Sequence, residues 1–123
     1  MADTGTATTA AAPAEEDADR EWAMEELMAK GETVYNANCA SCHQADGKGI
    51  PGAFPAITGS PVANGPADAH VNTIYAGVQG TAMASFAAQL SDVDIAAVIT
   101  YQRNALGNAV GDTVQPAAIK ALR

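Results

Sequence analysis

Cys39-Ala40-Ser41-Cys42-His43 is a C-x-x-C-H sequence and contains both cysteines of the chain. Two thiols at this spacing serve as a redox dithiol, a disulfide, half of a metal site, or a pair of attachment points for heme. The histidine that follows separates these readings. Thiols so spaced add across the two vinyl groups on one edge of a porphyrin, and the next residue's imidazole is then held under the iron. A dithiol site belongs in a strand–helix context, and no strand pattern stands out here. A structural zinc site needs four ligands; there is no third cysteine, and His70 is badly spaced to complete a set. The motif therefore predicts one covalent heme c, attached through Cys39 and Cys42, with His43 on the iron.

Upstream of the motif, Met24, Leu27, Met28, Gly31, Val34, Tyr35 and Asn38 recur at three- and four-residue steps, which predicts a helix over 23–38. Gly31 on that face lets another helix approach closely. Downstream, residues 44–65 are rich in Gly, Pro, Asn and Ser and read as an extended loop. A helix is predicted over 66–76, opened by Pro66 and stopped by Gly77. The last strong helix starts at Ser91, where Ser91 and Asp94 form a Ser-x-x-Asp start signal, and Gly107 is its expected stop. Residues 108–123 read as a tail with a helical turn after Pro116. The fold class is all-α, a small domain of three to five helices wrapped around one heme.

A histidine ligand needs its second ring nitrogen tied down, because such bonds orient the ring and tune the metal. Pro55, twelve residues after His43, offers a carbonyl acceptor; the alternative is a plain turn proline. The sixth position calls for a soft donor. Met83 lies in Gly80-Thr81-Ala82-Met83-Ala84-Ser85, a run of small residues between two helices, and is the preferred candidate over a gap-filling role in the core. Met24 and Met28, four apart on the first helix, read as core packing, and His70 reads as a surface residue. Thioether and imidazole together close the iron to substrates and raise its potential, which points to a carrier of single electrons.

Net charge is −8 over 123 residues, but residues 1–26 hold eight acids and one base, leaving the rest at −1. Residues 1–22 read as a flexible acidic linker or tail, 23–107 as the functional domain. With no basic patch, nucleic acid is not an expected partner. No apolar run reaches the roughly 18–20 residues of a membrane span, so direct membrane insertion is not expected. Met1 to Ala14 lacks the pattern of a signal peptide, and the chain reads as a mature piece or an excised fragment. Trp22 reads as packing the helix start. Tyr75 and Asn64 are candidates for a heme propionate or for plain surface roles, and Lys48 is placed near the exposed heme edge.

Gly31, Tyr35, the Cys39–His43 motif, Pro55, Met83 and Tyr101 resemble the pattern of class I cytochromes c, with Ala82 a departure from the proline common near the methionine. The resemblance implies that the first and last helices cross, Gly31 and Tyr35 against Val98 and Tyr101. Segments such as Pro51-Gly52-Ala53-Phe54-Pro55-Ala56, Gly80-Thr81-Ala82-Met83 and Ile99-Thr100-Tyr101-Gln102-Arg103-Asn104 also resemble the cytochrome c domain fused to subunit II of bacterial heme–copper cytochrome c oxidases. That likeness implies a periplasmic relay. A quinol-oxidising complex or a soluble cytochrome would be the donor, and the dinuclear copper centre of the same subunit the acceptor. The competing expectations are a free periplasmic cytochrome c or a dehydrogenase-linked domain and, less in keeping with Met83, a heme enzyme or sensor with open iron.

Overall fold

The computed structural model describes residues 18–123; the linker expected over 1–22 falls mostly outside them. Five helices follow in order: α1 Met24–Asn38, α2 Ala40–His43, α3 Ala67–Ala76, α4 Asp92–Asn104 and α5 Pro116–Lys120. Among the described residues there is one isolated antiparallel bridge, Ile50 with Phe54, and no strand. The fold class expected from sequence is the one observed.

The dominant packing is α1 across α4. A Cβ on Gly31 would lie 2.2 Å from the Ala97 carbonyl oxygen and 2.6 Å from the Tyr101 Cβ, so the crossing is close because Gly31 has no side chain. Its neighbours are Ala97 and Tyr101 rather than Val98. One turn on, Tyr35 and Tyr101 meet with ring centroids 5.6 Å apart in a tilted arrangement, a favourable aromatic geometry. Leu27, Ile95 and Ile99 are fully buried in this layer, and each such side chain stabilises the fold by about 1.5–3 kcal/mol.

Helix boundaries follow the local chemistry. Glu26 accepts the Ala23 backbone N–H at 2.9 Å and is itself held by Arg20. The Arg20 hydrogen bond, then that of Ala23, keeps the Glu26 carboxyl below its ordinary range. Ser91 caps α4, its Oγ accepting the Asp94 N–H at 3.0 Å. Pro66 is the capping residue just outside α3 rather than its first member, and Gly77 ends that helix at φ 76°. At the other end of α4 the helix stops at Asn104, short of the glycine: Ala105 turns extended, at φ −130° and ψ −169°, and Leu106 follows with a left-handed φ of 57°.

The segment read from sequence as a tail beyond 107 is built into the core. Val114 and Ile119 are buried in the same cluster as Tyr35 and Ile99. Thr100, Arg103 and Asn104 of α4 hold the segment by side chain. Thr100 Oγ1 accepts the Val114 N–H at 3.0 Å, and Arg103 pairs with Asp112 at 2.8 Å. Asn104 Nδ2 donates to the Asp112 carbonyl at 2.8 Å. Residues 19–22 also dock here: Gln115 exchanges hydrogen bonds with the Trp22 backbone at 2.7 and 3.0 Å, and Lys120 pairs with Asp19 at 2.5 Å. Arg20 lies 3.7 Å over the half-buried Trp22 ring, just ahead of α1.

Candidate heme site

Cys39 stands at the junction of α1 and the single turn of α2. Its N–H continues α1 by donating to the Tyr35 carbonyl at 2.8 Å, and its own carbonyl accepts the His43 N–H at 2.9 Å. This turn puts the two cysteines and the histidine on one short helical surface. Both thiols are unpaired, Cys39 buried and Cys42 half-buried. Burial, and then the neighbouring Cys42, push the Cys39 thiol up to about 11. A redox dithiol needs a depressed thiol, so this environment argues against that reading. Among the described residues no group of three or more His, Cys, Asp or Glu side chains gathers to hold a metal.

The motif is closed off by Gln44, at φ 70°. Tyr35 fixes it: the phenol donates to the Gln44 carbonyl at 2.7 Å. Burial raises the Tyr35 phenol far above its ordinary range, so it stays a neutral donor. This contact was not legible from Tyr35 in the sequence, where the residue reads only as part of an apolar helix face.

The imidazole Nδ1 of His43 lies 2.8 Å from the Pro55 carbonyl oxygen. A carbonyl only accepts, so Nδ1 carries the hydrogen, which leaves Nε2 as the ring nitrogen available to iron. The loop between them is folded to make this bond. Ile50 and Phe54 exchange backbone hydrogen bonds at 2.9 and 2.8 Å, and the Gly49 N–H donates to the His43 carbonyl at 2.9 Å. Gly49 has φ 68°, and a Cβ there would meet the Phe54 and Pro55 carbonyl oxygens at 2.5 and 2.6 Å. Gly49 is thus a site residue that the sequence hid among the other glycines of its loop.

Met83 is half-buried and packs against the same core cluster. Its backbone is held by a net of short-range bonds: Val78 N–H to the Met83 carbonyl at 2.9 Å and Met83 N–H to Thr81 Oγ1 at 3.1 Å. Gly77 makes room, since a Cβ there would sit 2.7 Å from the Met83 carbonyl oxygen. Two shallow depressions flank these residues, about 400 Å³ beside Lys48 and residues 51–56 and about 470 Å³ beside Met83 and residues 76–81.

The other candidates resolve differently. His70 is buried, 2% exposed, not on the surface as expected, because Gln102 of α4 offers it a partner 2.7 Å from Nε2. Its Nδ1 and Arg103 Nη1 are buried without a protein partner among the described residues. Burial first, then the Arg103 charge, lower the His70 pKa, against Gln102 and Asp112. Met24 and Met28 are half-buried on α1. Tyr75 donates to the Leu122 carbonyl at 3.3 Å, and Asn64 bonds to the Ser60 carbonyl and to Asn108. Two unpaired thiols at the attachment spacing, beside an imidazole whose Nδ1 is already committed, make a donor set that fits a covalent heme.

Known proteins resemble the chain over the segment that holds these residues. Residues 26–101 match the family model described as cytochrome c oxidase, cbb3-type, subunit III. The chain is 33% identical over 103 residues to the cytochrome c subunit of a quinone alcohol dehydrogenase from Gluconobacter oxydans, covering 76% of this chain and 22% of that protein. It is 38% identical over 96 residues to cytochrome c-552 of Thermus thermophilus, covering 67% and 72%. It is 35% identical over 107 residues to the fructose dehydrogenase cytochrome subunit of Gluconobacter japonicus, covering 76% and 22%. The chain therefore spans about a fifth of the length of the dehydrogenase subunits and most of that of cytochrome c-552.

Proposed function

The chain belongs to the cytochrome c family, binds heme c and carries electrons, and from that premise we propose the residues and the partners through which it does so. Cys39 and Cys42 would hold the heme through thioethers, His43 Nε2 and Met83 Sδ would bind its iron, and Pro55 orients His43 through its carbonyl. The bound heme supplies a one-electron couple. The observation that carries this reading is the 2.8 Å bond from His43 Nδ1 to Pro55. It holds the ring in one tautomer and one orientation, so the ligand needs no reorganisation when charge on the metal changes. Tyr35, by anchoring Gln44, holds the C-terminal end of the same turn. With Met83 as the second ligand, no position on the iron would be left open to a substrate, which fits a carrier.

The partner reading shifts from the one drawn from sequence. The oxidase subunit II likeness implied a dinuclear copper acceptor. The relatives found here are cytochrome subunits of dehydrogenases and cytochrome c-552, and they support a donor-side role. The domain takes single electrons from a dehydrogenase, as part of its cytochrome subunit or as a separate carrier, and delivers them to the respiratory chain. Its place is the outer face of the bacterial inner membrane, where heme is attached covalently to proteins. Among the described residues no helix is long and apolar enough to cross a membrane. The test is rapid mixing of the oxidised holoprotein with a substrate-reduced quinone-type alcohol dehydrogenase and, separately, of the reduced holoprotein with an oxidase copper fragment. Fast reduction by the first and slow oxidation by the second is the expected result. The reverse pattern restores the oxidase relay.

A further inference from the structure

We propose that Arg123 is a positioning residue for the Met83 loop, a role that rests on the reading of Met83 as the iron's sixth ligand. In the loop from Gly77 to Leu90 the short-range bonds of Val78 and Thr81 shape the turn around Met83, and the bonds that fix this turn to the helices come from its edges. Gly77 and Gly80 have positive φ, most of its residues are exposed, and Thr81 to Ser85 are small or flexible side chains. Its inner edge is pinned to the end of α3: Ser85 Oγ and the Ala87 N–H donate to the Tyr75 carbonyl at 2.6 and 3.2 Å, and the Phe86 N–H to the Ile74 carbonyl at 3.1 Å.

The outer edge is gathered by one guanidinium. Arg123 Nη1 donates to the Ala87 carbonyl, Nη2 to the Leu90 carbonyl at 2.9 Å, and Nε to Asp92 Oδ1 at 2.5 Å at the start of α4. The same group lies 5.6 Å over the Tyr75 ring, whose hydroxyl returns a bond to the Leu122 carbonyl at 3.3 Å. Arg123 thus ties the loop, the N-terminus of α4 and α3 into one frame. A thioether on a loop must be ordered each time it binds, and that ordering costs free energy. Arg123 supplies the order in advance and so favours Met83 over an outside ligand competing for the iron. A lysine would not replace it, because three acceptors in three directions need the planar fork.

The experiment is an imidazole titration of the oxidised holoprotein, followed by the far-red sulfur-to-iron charge-transfer band, with thermal unfolding in parallel. Arg123→Ala is expected to tighten imidazole binding about five- to tenfold, the scale of losing a charge-assisted, partly exposed clasp, with Arg123→Lys in between. Gly31→Ala, which strains the α1–α4 crossing and not the Arg123 contacts, controls for general loss of stability and is expected to leave imidazole binding unchanged. Unchanged binding in Arg123→Ala, or equal tightening in Gly31→Ala, overturns the proposal. A parent protein that lacks the band and binds imidazole as tightly as Met83→Ala overturns the ligand reading instead, so the two failures are distinct.

Discussion

His43 and Pro55 are joined by a 2.8 Å hydrogen bond that spans twelve residues of chain, and it closes because Gly49 presents no side chain to the carbonyl. Because the acceptor belongs to the main chain, the proline ring itself is not essential to the bond. Pro55→Ala is expected to keep the ligand geometry and to cost about 0.4–1 kcal/mol through the looser unfolded chain. Gly49→Ala, whose Cβ would sit 2.6 Å from that oxygen, is expected to displace it. Losing the bond weakens the imidazole as a donor and raises the midpoint potential. Potentiometric titration of both variants checks this; equal potentials in Gly49→Ala and the parent protein count against it.

Met83→Ala opens the sixth position. The reduced variant is expected to bind carbon monoxide, to lose the far-red band when oxidised, and to show a lower potential, since a thioether ligand raises it. A variant that refuses carbon monoxide and keeps the band would assign the ligand elsewhere.

The α1–α4 crossing is expected to tolerate nothing at position 31. Gly31→Ala meets the Ala97 carbonyl oxygen at 2.2 Å, main-chain matter that cannot rotate away. The helices must separate, at about 1–3 kcal/mol. Denaturant unfolding of the holoprotein measures it, with the visible spectrum expected to stay unchanged.

His70 makes stability depend on pH. Its pKa is lowered in the folded protein by burial, with Arg103 adding to the effect and Gln102 and Asp112 opposing it. The unfolded chain, titrating near the ordinary value of about 6.5, therefore binds the proton more readily. The His70 contribution is complete above that pH and is lost as pH falls below it. His70→Gln is expected to flatten the stability profile below about pH 6.5; an identical slope in the variant would contradict this.

The attachment motif, the start of α4 at Ser91 and the glycine stop of α3 were legible because each is a local signal, complete within a few residues. His70 was misplaced on the surface because its partner, Gln102, lies 32 residues away and leaves no pattern near it. Gly49 escaped because its importance lies in what approaches it, not in its own neighbours. The segment from 108 read as a tail for a related reason. It is held by α4 side chains and by two well-spaced apolar anchors, Val114 and Ile119, so it shows no periodicity of its own.

That same segment has a dynamic consequence. The amides of Val110, Gly111 and Val114 donate in turn to the Arg103 carbonyl at 2.9 Å, Asn104 Oδ1 at 2.7 Å and Thr100 Oγ1 at 3.0 Å. A stretch without regular structure thus borrows its protection from the last turns of α4. It cannot fray as an independent end; it opens when α4 opens. In native-state hydrogen exchange, the Val114 amide is expected to share the opening free energy of the α4 core rather than that of a loop, making this late stretch of chain part of the most slowly exchanging unit of the domain.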